Sequence, residues 1–188
     1  MDTKSSLLQI GLDLFSKAPY EAVSVLDIVS RANVTKPTLY HHFGSKLGFY
    51  QHVFNTYASP FIEQLMALSH YENDLIQNLN QIALTTCEFT RQHPEVYKMI
   101  AFALHISKNS EHHQFVVVFW RRLCEAFDQM FRDATPQHGN MAGKSTQLAW
   151  SFLYALLAQA EMIIKCPESY QPDVPYRLVK QFMYGIFS

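Results

Sequence analysis

The chain is poor in whatever breaks or staples a backbone: its 188 residues include only 6 glycines, 8 prolines and 3 cysteines. Few breakers, with apolar residues recurring at helical rather than alternating spacing, give an all-α fold class as the expectation. Cys87, Cys124 and Cys166 are an odd number without metal or redox spacing, which excludes a closed disulfide framework and points to a reducing cytoplasm. The N-terminus lacks a basic segment followed by an apolar stretch, so export is not expected. The greasiest run, 148–164, is interrupted by Ser151, Gln159 and Glu161. It falls short of the roughly 20 apolar residues that cross a bilayer and reads as a buried helix, so no membrane partner is expected. Also missing are Cys-x-x-Cys, a histidine pair at i,i+4, Glu-x-x-His, Gly-x-Ser-x-Gly and a phosphate-binding loop. Metalloenzyme, di-iron, hydrolase and nucleotide-binding signatures are therefore absent, and neither catalysis, a cofactor nor a metal is expected. Finally, there is no excess of charge: 15 bases face 16 acids, for a net charge of -1. Such a balance argues against a nucleic-acid binder, which usually shows a basic excess.

What the chain does have is apolar residues, 48% of the total, enough to exclude disorder and build a real core. Breaks fall at Ala18-Pro19, Asn33, Gly44, Ser59-Pro60, 69–73, His93-Pro94, 108–110, 135–144 and 166–175, and about nine helices are expected between them. Phe115-Val-Val-Val-Phe119 has strand-like composition. It lies within the helical series Phe115, Phe119, Leu123, Phe127, and is read as helix. Short helices with tight turns give way near residue 50 to longer, aromatic-rich ones. Two domains follow: 1–50, with a connecting helix starting at 45, and 51–188.

The N-terminal part carries the more specific pattern. Leu7, Leu8, Gly11, Leu14, Phe15 and Ala18 mark one face of a first helix that Pro19 ends. Ser24 followed three residues later by Asp27 is a capping-box start for a second helix with Val25, Ile28, Val29 and Ala32 inward. Asn33 tolerates the left-handed conformation that closes it. Thr35 caps a third helix with Pro37 in its first turn; Leu39 and Phe43 anchor it, and Gly44 stops it. Two short helices across a tight turn, packed on a preceding helix, make a helix-turn-helix.

With Leu39 and Phe43 inward, the outer surface carries Lys36, Pro37, Thr38, Tyr40, His41 and His42. The N-terminal residues of such a helix reach base edges in the major groove. Lys36 can donate to guanine, Thr38 can hydrogen-bond a base, and Thr38 and the Pro37 ring can touch a thymine methyl. Tyr40, His42 and Lys46 suit phosphates, as do the helix starts at Ser24 and Ser45, and Thr35 completes the candidate DNA-binding set.

The stretch from Phe15 through Pro19-Tyr20, Ser24-Val-Leu-Asp27, Ala32-Asn-Val34-Thr35-Lys-Pro-Thr38 to Lys46 resembles the DNA-binding region of the TetR (tetracycline-repressor-like) regulators. Thr38-Leu-Tyr-His-His-Phe-Gly-Ser-Lys46 is its strongest piece. The resemblance covers residues 7 to about 54; beyond that only helical layout and length agree. It implies a homodimer paired through its last two helices, a pseudo-palindromic double-stranded DNA operator, and a small-molecule effector that ends repression. It also places Lys36, Pro37, Thr38 and His41 where base-facing residues lie, and Ser24, Tyr40, His42 and Lys46 where backbone contacts are common. Three positions depart from the pattern: Pro19 and Asn33 stand where glycines are usual, and Gly48 where an acidic residue is common. Gly48 deprives Ser45 of a capping partner, and the expected cost to the connecting helix is about 1 kcal/mol.

In the C-terminal part, aromatic walls and interspersed polar groups suit a pocket for an apolar or amphipathic molecule. The candidates are Phe89, Phe102, His105, Phe119, Trp120, Trp150 and Tyr154, with Thr86, Cys87 and Gln159 as further polar points. The penultimate helix, about 144–165, is apolar nearly all round, and the last, from about Asp173, repeats apolar pairs at i,i+4. A dimer interface is expected at Phe152, Leu156, Met162, Ile163, Val179, Phe182, Met183 and Ile186. Two other function classes stay open: a coregulator of the same fold acting through protein partners without DNA, and a helical-bundle enzyme or carrier. Residues 1–50 hold five bases and four acids, a net +1, and the remainder a net -2. The global charge thus averages a small DNA-facing module with a larger bundle, and binding is expected to depend on dimerisation and low salt.

Overall fold

The computed structural model describes residues 3–104 and 109–185. They form ten α-helices: α1 Thr3–Phe15, α2 Val25–Ala32, α3 Lys36–Phe43, α4 Lys46–Tyr57, α5 Ser59–Leu68, α6 Leu75–Gln92, α7 Pro94–Leu104, α8 His113–Ala134, α9 Ser145–Lys165 and α10 Val174–Tyr184. Single 3-10 turns lie at Tyr20–Ala22, Thr135–Gln137, Gly139–Met141 and Pro167–Ser169, and the described residues contain no strand. The expected breaks coincide with helix ends but delimit ten helices rather than about nine. Nine breaks delimit ten segments, so the expected breaks themselves give ten; the weakest of them is between α4 and α5, where Ala58 keeps right-handed helical angles with its N–H still bonded to the Phe54 carbonyl at 2.8 Å.

Packing divides the chain elsewhere than at residue 50, into Met1–Phe61 with His93–Phe119, and Ile62–Gln92 with Trp120–Ser188. In the first unit α1 packs on α2, α4 and α7. Leu7, Leu12 and Phe15 of α1 meet Phe49, Tyr50, Val53 and Phe54 of α4, all buried. Full burial of each such side chain stabilises the fold by about 1.5–3 kcal/mol. Rings form a chain through this core: Phe15 to Tyr50 at 4.9 Å, Tyr50 to Phe115 at 6.4 Å, Phe115 to Phe119 at 5.2 Å, and Phe54 against both Phe115 and Phe119. The spacing of these apolar positions, three or four apart along each helix, is what turns one stripe inward.

In the second unit α6, α9 and α10 pack together. Leu79, Ile82 and Ala83 of α6, Phe152, Leu156, Ala160 and Ile163 of α9, and Val179 of α10 are buried. Phe182 closes this core with its ring 5.0 Å from that of Phe152. At 21 residues and a mean hydropathy of 1.3 over its best window, α9 is long and apolar enough to cross a membrane by length and composition, contrary to the expectation that it falls short. Its buried residues, Ala149, Phe152, Leu153, Leu156, Ala160 and Ile163, keep one face within the unit, as in a core helix.

Candidate nucleic-acid interface

The helix-turn-helix is built from local hydrogen bonds that its sequence dictates. At the start of α2 the Asp27 N–H donates to Ser24 Oγ at 3.1 Å, and the Ser24 N–H donates to the Asp27 carboxylate at 2.8 Å. The capping box is therefore complete, and the Ser24 bond holds the Asp27 carboxyl below the usual carboxylate range. Asn33 adopts φ 51° and ψ 44°, ending α2 in the left-handed region, and the next N–H, of Val34, returns to the Val29 carbonyl at 3.0 Å. Thr35 caps α3, its hydroxyl 2.9 Å from that of Thr38, and Pro37 occupies the first turn. Ile28, Val29, Leu39 and Phe43 are buried beneath, which fixes α3 by its inner face.

At the far end, α3 joins α4 by an unusual link. Gly44 has φ 74° and ψ -47°, and the Ser45 N–H donates to the Phe43 carbonyl at 2.9 Å, the positive-φ γ-turn that side chains disfavour. The same Phe43 oxygen faces Gly48, where an added Cβ would lie 2.1 Å from it. Gly48 is thus not merely a lost capping partner. It is the position that lets α4 start against the end of α3, while its N–H still bonds Ser45 Oγ at 2.9 Å.

The outward face of this unit presents Lys36, Pro37, Tyr40 and His41 exposed, with Thr38 and His42 half-buried beside them. Six expected DNA-facing residues therefore share α3. Ser24 and Thr35 lie exposed at the starts of the two helices, their hydroxyls engaged as caps. Lys46 is placed differently from expectation. Its ammonium lies over the Tyr20 ring, 4.0 Å from the centroid, where burial lowers its pKa, so a phosphate contact requires it to leave that ring. Arg31 and Lys17 both pair with Asp13, Arg31 at 2.6 Å. Among the described residues Lys36 makes no ion pair.

The expected pocket residues are not brought together in one unit. Phe102 and Phe119 belong to the first and Phe89, Trp120, Trp150 and Tyr154 to the second. Phe119 stands in the aromatic chain of the first core, whereas Trp150 and Tyr154 stack on each other at 5.9 Å on the exposed side of α9. A recess of about 300 Å³ in the second unit is polar, lined by His70, Glu72, Asp74, Gln77 and Asn78, and by none of the seven. Of the expected dimer residues, Phe152, Leu156, Ile163 and Val179 are buried in the protomer's own core, because they occupy the inward stripe of α9 and α10. Phe182 and Met183 are half-buried and Met162 is exposed. His105 and Ile186 lie outside the described residues. Trp150 and Tyr154, expected in the pocket, and Met162, expected at the dimer interface, form an exposed stripe on α9; Tyr176 and Tyr184 on α10, which sequence reading did not single out, are exposed as well. The signal was present in the i,i+4 spacing of Trp150 and Tyr154. No three His, Cys, Asp or Glu side chains gather as metal ligands would among the described residues.

Comparison with known proteins agrees with this geometry. Residues 7–53 match the family model of bacterial regulatory proteins, tetR family. The HTH-type transcriptional activator FasR of Mycolicibacterium smegmatis is 26% identical over 99 residues, which span 53% of this chain and 45% of that relative. Among solved structures, a Clostridium perfringens protein described as a fatty acid metabolism regulator superposes with a TM-score of 0.80 at 19% identity, covering 96% of this chain and 98% of its own. FadR of Bacillus subtilis, solved in complex with stearoyl-CoA, gives 0.75 at 13% identity, covering 97% and 98%. At these identities the superpositions show a shared fold. The matched residues 7–53 form the helix-turn-helix described above, so this part of the chain is similar to the tetR family of bacterial regulatory proteins.

Proposed function

We propose that the chain acts in the cytoplasm as a homodimeric repressor, held on a pseudo-palindromic operator until a small amphipathic molecule releases it. The observation that carries the reading is the two-sided build of α3: Leu39 and Phe43 buried, Lys36, Pro37, Tyr40 and His41 outward. In this reading Lys36, Pro37, Thr38 and His41 meet base edges, and Tyr40, His42 and the helix start at Ser24 meet phosphates. Residues 1–50 form the DNA-reading part and 51–188 the effector and dimer part. The second copy docks on the outward stripe of α9 and α10, where exposed Trp150, Tyr154, Met162, Tyr176 and Tyr184 supply the aromatic anchors that interfaces favour. Long-chain acyl-CoA is the effector class to try first, because a protein of this fold was solved with stearoyl-CoA and another is described as a fatty acid metabolism regulator. Release then follows from differential affinity: a ligand that prefers the conformer with mis-spaced reading helices lowers DNA affinity by that preference.

The experiment is fluorescence anisotropy on the gene's own upstream DNA at low salt, with wild type, Lys36→Ala and Tyr40→Ala, in the presence and absence of stearoyl-CoA. Loss of about tenfold in affinity for Lys36→Ala is expected from one base contact. Unchanged affinity in both variants would refute the assignment of α3. A second reading, a coregulator that works without DNA, is favoured by the capture of Lys17, Arg31 and Lys46 inside the protomer. It predicts no sequence-dependent binding in the same assay.

A further inference from the structure

The first unit holds a polar cluster that neither DNA contact nor an effector requires. Tyr20 donates its hydroxyl to Glu111 at 2.8 Å, and Ser110 donates to Glu21, contacts across 91 and 89 positions of sequence. The single proton of Ser110 goes to Glu21, so its 2.6 Å contact with His112 is an Nδ1–H donating to the serine oxygen. The His112 ring is buried, 4.3 Å from the Tyr20 ring and 5.2 Å from that of Tyr50 on α4. Over Tyr20 also sits the Lys46 ammonium.

The positions of these groups in the chain matter more than their number. Tyr20 and Glu21 stand just before α2, and Lys46 opens α4 just after α3. The segment Ser110–His112 therefore bonds directly to the entry of the helix-turn-helix, at Tyr20 and Glu21, and reaches its exit through the Tyr20 ring beneath Lys46 and the His112–Tyr50 ring contact on α4; α8 begins at the next residue, His113. His112 is buried and Ser110 half-buried, while Glu21 and Glu111 are exposed, so a shift of about 1 Å that opens the Ser110 bonds leaves His112 short of a partner and weakens the rest.

We propose that Ser110–His112 is the handle by which movement at the start of α8 sets the pose of the helix-turn-helix, and with it the affinity for DNA. This rests on the DNA-binding reading above. Three full-length variants test it: Tyr20→Phe, which removes the bond to Glu111, Ser110→Ala, which removes the bonds to Glu21 and His112, and Tyr71→Phe, which removes a single bond to Gln137 elsewhere. Each is titrated onto DNA fragments that the wild-type chain selects from a random-sequence pool, with thermal midpoints measured in parallel. The expected result is a change of at least threefold in Kd, in either direction, for Tyr20→Phe and Ser110→Ala, and none for Tyr71→Phe. If the two cluster variants lose thermal stability yet bind as wild type does, the cluster only supports the fold and the proposal is overturned. If the wild-type chain selects no sequence at all, the DNA reading fails first and takes the handle with it.

Discussion

Replacing Gly48 by alanine sets two physical effects against each other. Inside a helix alanine is favoured over glycine by about 1 kcal/mol, so propensity alone makes Gly48→Ala a stabilising change. The new Cβ, however, lies 2.1 Å from the Phe43 carbonyl oxygen and 3.3 Å from its carbon. That oxygen is backbone, held in the γ-turn by the Ser45 N–H at 2.9 Å, and has no rotamer through which to escape. Relief requires the end of α3 and the start of α4 to part by about 1 Å, an overpacking strain that costs about 1–3 kcal/mol. Because the obstacle is rigid, the upper part of that range applies, and the net loss is about 2 kcal/mol. For a chain of this size such a loss lowers the thermal midpoint by about 4–8 °C. Thermal unfolding followed by circular dichroism measures it, and on the proposed assignment of α3 as the reading helix the same variant should also bind DNA less tightly. Gly44→Ala makes a useful companion: it meets no atom within 4 Å but must hold φ 74°, so its cost is conformational, about 1–2 kcal/mol. A Gly48→Ala protein as stable as wild type, or more so, would refute the steric argument and restore the propensity one.

Three further outcomes are expected. Introducing glutamate at both Trp150 and Tyr154 places charges on the exposed stack of α9 and should convert a dimer to monomers in analytical ultracentrifugation; an unchanged mass would place the interface elsewhere. Burial lowers the pKa of His112 below its ordinary 6.5, so as pH falls below that value the unfolded chain takes up the proton first and stability declines, whereas above it this group contributes no slope. His112→Asn should flatten the midpoint between pH 7 and 5.5, although the Glu21 carboxyl, held below 4.5 by its bond from Ser110, leaves a further loss at lower pH. Burial pushes the Cys87 thiol up to about 12 and Cys124 to about 11, while Cys166 is exposed. Alkylation of the native protein should therefore modify Cys166 first and Cys87 only on unfolding; early labelling of Cys87 would contradict its place in the core.

The helix-turn-helix was legible in the sequence because its determinants are local. Ser24 with Asp27, Asn33, Thr35 with Pro37, and Gly44 each act within three or four residues, and each adopts the geometry its chemistry favours. Leu39 and Phe43 were equally plain from their spacing. The C-terminal helices were legible in outline only. On α9 apolar residues occupy both faces, so pattern alone could not divide Phe152, Leu156 and Ile163, which are buried, from Trp150, Tyr154 and Met162, which are not. The Ser110–His112 grip left no trace, since its partners are about 90 positions away. Gly48 was misjudged for a related reason: its environment is a carbonyl from the preceding helix, which residue preference does not register.

The pairing of Arg31 and Lys17 with one carboxylate, Asp13, bears on how such a protein finds its target. Nonspecific attachment to DNA grows with the number of phosphates a protein can neutralise. On the DNA-binding proposal, two cations already paired with Asp13 leave less positive charge for random sequences, and nonspecific attachment should be correspondingly weak. In that proposal discrimination rests on hydrogen bonds and shape at the correct site, met twice by the proposed dimer, rather than on a general attraction shared by every sequence. Replacing Asp13 by asparagine should then strengthen binding to unrelated DNA and reduce the contrast between right and wrong sites.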